Sequence, residues 1–356
     1  MLSLFNLYDG DYKKLLLLPV LLFVISLFLV FVYPGVPLGI DLKGGNMILL
    51  RTDMPIDAEV LKTDLLSDYP LQELSITSTA SPDGSHGTII QFLVNSDLAE
   101  LENKIKEAES LKETNPEQAK SIVSGMSGLF AKYGVNEEIN LININDAIDK
   151  SKILLVSAKD NFVRQIEKTI EEKFSVSEIK SQTREVGASL GKAFWDSSIL
   201  VMIVAAILVI IVIFAFFREL VPSLAIIASA ILDVVCALAA MAIFSIPLSL
   251  SSIPALLMLV GYSVDTDIML TTRLLKRKEG GLKERSYEAM KTGLTMTLTT
   301  MAALSVMITL SFMYQIVVIF ELTVVLFFGL VADIISTWLM NAPILLAYAE
   351  SKRGGK

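Results

Sequence analysis

Cysteine and histidine are nearly absent: the 356 residues hold one of each, Cys236 and His86. A single thiol permits no intrachain disulfide and no multi-thiolate metal site, and a lone imidazole cannot form a histidine-pair motif. No Ser-His-Asp set or Cys-His pair is available for hydrolysis, because those two residues lie in different regions of the sequence. Enzymatic hydrolysis and bound cofactors are therefore not expected. Charge is scarce too: 19% of residues are charged, against roughly 25% in a soluble domain, while 53% are hydrophobic. This balance excludes an ordinary cytosolic enzyme. Lys and Arg number 30 against 38 Asp and Glu, a net −8 that gives no basic footprint for nucleic acid.

What is abundant is the long uncharged run. Residues 15–32 carry no charge, follow Lys13 and Lys14, and precede Tyr33-Pro34; they suffice for one bilayer-spanning helix. No small-residue cleavage site follows, so the segment is expected to remain as an anchor. Residues 197–217 form a second run. Residues 222–264 carry Asp233 as their only charge and are divided by Pro247 and Pro254. Residues 292–349 carry only Glu321 and Asp333; at about 1.5 Å per residue this stretch is long enough for two crossings. The predicted spans are 15–33, 197–217, 222–243, 251–272, 294–312 and 318–340, the last five forming a bundle over 196–349.

Residues 34–195 differ in texture, mixing Asp, Glu, Lys, Ser and Asn with short apolar segments, and read as one α+β domain. Strands are expected at 46–51, 74–79, 88–94, 152–157 and 176–182, and helices at 58–67, 97–113 and 160–174. The order β-α-β-β with a later α-β suggests a ferredoxin-like sandwich with a mostly helical insertion over 95–150. The loop between the fourth and fifth spans holds Arg273, Lys276, Arg277, Lys278, Lys283, Arg285 and Lys291, and the tail adds Lys352, Arg353 and Lys356. The positive-inside rule then puts residues 1–14 and 350–356 in the cytoplasm of a multi-pass protein of the cell membrane, with the large domain extracytoplasmic.

Asp233, Asp265 and Asp333 fall inside spans. A central Asp costs about 2.5 to 3.5 kcal/mol on insertion scales, so each must face protein or water rather than lipid. Counted along their helices, the three lie within about 9 Å of depth of one another and are expected to form one site. Burial favours the neutral form of a carboxylic acid, so such a cluster can take up and release a proton. The plainer reading is that each Asp bonds a neighbouring hydroxyl and only holds helices together. Asp267 lies about 200° round the helix from Asp265, cannot share its face, and is expected to be a partner or helix-end residue. Arg273 reads as an interfacial anchor, Glu321 as an interfacial residue at the start of the last span, and His86 as an exposed residue after the turn signal 82–85.

Two glycine motifs remain. Gly39-Ile-Asp41-Leu-Lys-Gly44-Gly45 precedes a strand and reads first as a structural turn. Gly187-Ala-Ser-Leu-Gly191-Lys192 is shaped like a phosphate loop but has three residues between its glycines and Ala193 where Ser or Thr is required.

Together with Asp233-Val, Gly261-Tyr-Ser-Val-Asp265-Thr-Asp267 and Ala289-Met-Lys-Thr-Gly-Leu-Thr295, these motifs resemble the SecF branch of the SecD/SecF family of protein-export membrane proteins, in its archaeal form. The resemblance implies half of a resistance-nodulation-division fold, with SecD supplying the other half. It implies assistance to protein translocation driven by protons or sodium ions, with Sec channel subunits, the translocating polypeptide and membrane lipid as further partners. It puts Asp233, Asp265 and Asp267 on motif positions associated with ion coupling; Asp333, proposed from its position in a span, matches no assigned position. The chain departs from bacterial relatives in reading Asp41-Leu for Asp-Phe and Met296 where an Arg is common, so an Asp-Arg relay does not carry over directly. A lipid or small-hydrophobe exporter and a passive subunit of the export channel are the alternatives.

Overall fold

The computed structural model describes residues 7–8, 10–80, 86–137, 139–174, 180–276, 280–314 and 316–354. After a short 3-10 turn at Tyr12–Leu16 the elements are α1 (Leu17–Phe31), α2 (Ile40–Lys43), β1 (Gly45–Thr52), α3 (Ala58–Asp68), β2 (Leu71–Gln72), β3 (Ser75–Ala80), β4 (His86–Phe92) and β5 (Val94–Asn95). They continue as α4 (Ser96–Leu111), α5 (Pro116–Ser124), α6 (Ser127–Lys132), α7 (Ile144–Phe174), β6 (Lys180–Val186), α8 (Ala188–Phe217), α9 (Leu220–Ile243) and α10 (Ser252–Leu275). The chain ends in α11 (Leu282–Met313), α12 (Val317–Ser336), a π-helical segment Thr337–Asn341 and α13 (Ala342–Gly354). It forms two compact units, one of residues 43–190 and one of residues 1–42 with 191–356.

In the first unit β1 pairs with β4 and β6 and β3 pairs with β4, all antiparallel, in the order β3-β4-β1-β6. Ile48 on β1 stands opposite Ile90 and Thr183. Ile48, Leu50, Ile90 and Phe92 then meet Leu61, Leu98, Leu101, Leu154 and Ile166 from the helices in one core. α4 begins where Asn95 Oδ1 accepts from the amides of Asp97 and Leu98, and Tyr133 OH donates to the same oxygen at 2.9 Å.

The strand expected at 152–157 is instead the middle of α7. Ser151, Leu154, Leu155, Ala158, Phe162, Ile166 and Ile170 are all buried, a three-to-four spacing that makes one stripe of a long helix; the apolar run 153–156 mimics a strand only when read without its flanks. The strand expected at 176–182 is found as Lys180–Val186; residues 176–179 lie outside the described residues. His86 opens β4, half-buried and paired with Thr52 and Ala80, rather than lying in a loop. The turn signal before it, 82–85, lies outside the described residues.

Phe162 packs edge-on against Tyr69, Phe92 and Tyr133, with ring centroids 5.0, 5.8 and 5.9 Å away. Truncation removes all three contacts and leaves a cavity. Phe162→Ala is expected to cost about 3 to 5 kcal/mol, seen as a lower unfolding midpoint of this unit in the purified full chain; an unchanged midpoint would contradict this packing.

In the second unit, six helices among the described residues are long and apolar enough to cross a membrane: Tyr12–Phe31, Leu190–Phe217, Leu220–Ile243, Ser252–Leu275, Leu282–Met313 and Val317–Lys352. α12 packs on α9, α10 and α11, and α1 packs on α9. α9 buries Ala225, Ser229, Ala230, Asp233, Ala237 and Ala242, small side chains that let neighbouring backbones approach. α8 leaves nearly its whole apolar length exposed.

Candidate functional site

Three helices bring three acids together. On α9, Asp233 follows Ser229 by one turn. On α10, Ser263, Asp267 and Thr271 succeed one another at four-residue steps, and all three are fully buried. On α12 and the π-helical segment, Asp333 is followed by Ser336, Thr337 and Asn341, also fully buried. π-helical turns are rare and are frequent at functional positions.

The acids are linked through hydroxyls. Ser263 Oγ donates to Asp233 Oδ2 at 2.5 Å, and Ser336 Oγ lies 2.6 Å from Asp233 Oδ1 and 3.2 Å from the Asp333 carbonyl oxygen. Thr337 Oγ1 lies 2.9 Å from Asp267 Oδ1 and 3.1 Å from Asp333 Oδ1, which puts these two carboxyl groups within about 6 Å of each other. Asp267 Oδ2, Asp333 Oδ2, Ser229 Oγ, Thr271 Oγ1 and both polar atoms of the Asn341 amide are buried without a hydrogen-bond partner in the chain. Among the described residues no Lys, Arg or His bonds to any of the three acids. Nor do three acidic side chains converge tightly enough to chelate a metal ion.

A buried carboxylate normally has a cationic partner or several donors, and here the donors within hydrogen-bond distance are the hydroxyls of Ser263, Ser336 and Thr337. A hydroxyl carries one hydrogen. Thr337 therefore cannot donate fully to Asp267 and Asp333 at once. The second contact is satisfied when one of the two carboxyl groups holds a proton and donates to Thr337 Oγ1, or when a cation is shared between them.

Asp265 is not part of this cluster. It is exposed on α10, on the side away from Ser263 and Asp267, because two residues along a helix rotate a side chain about 200°. The site expected from Asp233, Asp265 and Asp333 is thus built from Asp233, Asp267 and Asp333. Sequence reasoning also left out Ser263, Ser336, Thr337 and Asn341. Their signal was present: Ser336, Thr337 and Asn341 are polar residues at three, four and eight positions after Asp333 in an otherwise apolar run.

Arg273 bonds across to α11, through Nη1 to the Glu288 carbonyl oxygen and to Thr292 Oγ1, away from the acids. Glu321 lies near the start of α12 and is buried against neighbouring residues. In the glycine motifs, Gly44 and Gly45 take φ of +82° and +138°, conformations that side chains disfavour, and they turn the chain into β1. Gly39 lies close against Leu248, and Asp41 is buried on α2. Gly187 precedes α8 and Gly191 is buried within it. A methyl group on Gly187 or on Gly261 would meet nothing within 4 Å.

The family profile described as "Protein export membrane protein SecD/SecF, C-terminal" matches residues 165–351, and that described as "SecD/SecF GG Motif" matches residues 34–56. The chain is 32% identical over 348 residues to the protein-export membrane protein SecF of Methanocaldococcus jannaschii, covering 97% of this chain and 99% of that protein. Over 199 residues it is 42% identical to the SecF protein of Pyrococcus furiosus, covering 56% of this chain and 65% of that protein. Its fold is similar to the crystal structure of SecDF, a translocon-associated membrane protein from Thermus thermophilus. That match has a TM-score of 0.61 and 16% identity, over 96% of this chain and 38% of that longer one.

Proposed function

Since the chain belongs to the SecD/SecF family of protein-export membrane proteins, we propose that it works as a multi-pass SecF subunit that couples cation movement to protein translocation. Protons or sodium ions enter the Asp233, Asp267 and Asp333 cluster, and their uptake repacks α9, α10 and α12. The observation that carries this reading is the Thr337 hydroxyl, one hydrogen set between two buried carboxyl groups. One charge crossing 100 mV supplies about 2.3 kcal/mol, within the 1 to 3 kcal/mol typical of coupling between sites, so one ion per stroke suffices to bias a movement.

The domain of residues 34–195 is read as a ferredoxin-like sandwich on the extracytoplasmic side, where it grips an emerging polypeptide. The strand order β3-β4-β1-β6, all antiparallel, supports the ferredoxin-like reading, with α4, α5 and α6 as the helical insertion. The Lys and Arg of the loop after α10 and of the tail support cytoplasmic termini. Of the residues expected to couple ions, Asp265 takes a different place. Exposed beside Met258 and Tyr262 on an apolar helix, it is too costly to leave in lipid, and it is read as facing SecD. α1 and α8 present apolar length to lipid or to the same partner.

Purification from native membranes tests the assembly: a SecD-like protein and channel subunits are expected to accompany the wild-type chain. Asp265→Asn is expected to weaken SecD recovery without loss of insertion. Recovery of the wild-type chain alone would reject the reading.

A further inference from the structure

Among the described residues of the membrane helices, Glu321 is a buried acid outside the cluster whose partners point to a task. It sits in the second turn of α12, 7% exposed, and its Oε2 accepts from Ser249 Oγ at 2.6 Å and Ser251 Oγ at 2.8 Å. Both serines belong to the loop joining α9 to α10. Ser249 also donates its amide hydrogen to Ser252 Oγ, at the first residue of α10.

The same loop has a second attachment. The Gly39 amide donates to the Leu248 carbonyl oxygen at 2.7 Å, and the Leu248 amide donates to the Pro37 carbonyl oxygen at 2.7 Å, a short parallel bridge. The fit is close: a Cβ on Gly39 would stand 3.1 Å from the Leu248 carbonyl oxygen and 3.2 Å from Ser249 Cβ. This segment leads through α2 and the Gly44-Gly45 turn into β1, the first strand of the other unit.

The Glu321 carboxylate therefore ties the start of α12, the helix of Asp333, to the loop that leaves α9, the helix of Asp233, and enters α10, the helix of Asp267. The segment feeding β1 is hydrogen-bonded to that same loop. We infer that Glu321 is a positioning residue, the clamp through which a rearrangement of the acid-bearing helices is transmitted to residues 37–40. It never touches the coupling ion. Without it the helices still respond to the ion, and the response stops at the loop. This deepens the cation-coupled reading and rests on it.

The test is export into inverted membrane vesicles containing the full chain with its SecD partner, measured with and without an imposed ion gradient. Glu321→Ala is expected to reduce the gradient-stimulated part by about 5- to 150-fold, the range of typical coupling energies, while recovery of SecD is unchanged. Glu321→Gln, whose amide oxygen accepts from the same hydroxyls, is expected to retain most of the stimulation. Ser249→Ala with Ser251→Ala should reproduce the Glu321→Ala loss, and the triple variant should be no worse than either, because the groups act as one unit.

Wild-type stimulation in Glu321→Ala, or losses that multiply in the triple variant, would overturn the inference. If Glu321→Ala fails to accumulate, the Ser249→Ala, Ser251→Ala pair decides: it removes both hydroxyls that donate to the carboxylate and leaves the close fit of Gly39 against Leu248 in place. Loss of stimulation supports the clamp, and full stimulation rejects it. Asp267→Asn separates the two levels. If that variant keeps its gradient response, the cation reading fails. If it loses the response while Glu321→Ala keeps it, only the clamp fails.

Discussion

Replacing Asp267 or Asp333 by Asn is expected to abolish the ion-gradient-dependent part of export while leaving the chain inserted and paired with SecD. Asn matches Asp in size and keeps an oxygen for the Thr337 hydroxyl, so packing is preserved. What it cannot do is take up a proton or supply the negative charge that balances a bound cation. If one charge per stroke is lost, about 2.3 kcal/mol of drive at 100 mV disappears, roughly a 50-fold change in rate. Thr337→Val removes the hydroxyl that joins the two acids but leaves both carboxyl groups, and an intermediate loss is expected. Asp265→Asn is expected to act through recovery of SecD rather than through the ion. Normal stimulation in either Asp267→Asn or Asp333→Asn would contradict cation uptake by the cluster, and in both it would mean that the acids serve only as links between helices and that the subunit is passive.

Gly329→Val is expected to produce the second large effect. Gly329 on α12 lies directly against Leu259 on α10: a Cβ added there would overlap Cγ and both methyl carbons of Leu259, well inside van der Waals contact. Leu259 is fully buried. Overpacking of this kind costs about 1 to 3 kcal/mol or more, and α10 and α12 can relieve it only by separating. These helices also carry Asp267 and Asp333, so the variant should lose both thermal stability in detergent and gradient-stimulated export. The second-site change Leu259→Ala opens the space the new side chain needs and is expected to restore much of both. An undiminished melting temperature in Gly329→Val, or no recovery in the double variant, would contradict the close approach of α10 and α12.

The spans were easy to read because a bilayer demands about 20 apolar residues and little else in the sequence satisfies that demand. β1, β3 and β4 are legible for a similar reason, each being a short β-branched or apolar run bounded by turn residues. Residues 152–157 read as a strand because a buried helical stripe and a buried strand look alike over six residues; only the full spacing from Ser151 to Ile170 separates them. The acids show a different limit. Depth in a span can be counted from sequence, but the rotation of one helix toward its neighbours cannot. Asp265 and Asp267 are nearly equal in depth and opposite in direction. The clue that favours Asp267 is its four-residue step from Ser263 and to Thr271, a polar stripe that Asp265 does not join. Glu321 was legible as a residue near a helix end but not as a clamp, because its serine partners lie some 70 residues earlier in the chain.

Infrared difference spectroscopy on the chain with SecD in lipid vesicles, stepping pH and then sodium concentration, reads the carboxyl groups themselves. The spectrum should contain the carbonyl stretch of a protonated carboxylic acid that changes with the step, and it should disappear when Asp267 or Asp333 is replaced by Asn. A spectrum without a carboxyl change, or one that both substitutions leave intact, would contradict cation uptake by the buried acids.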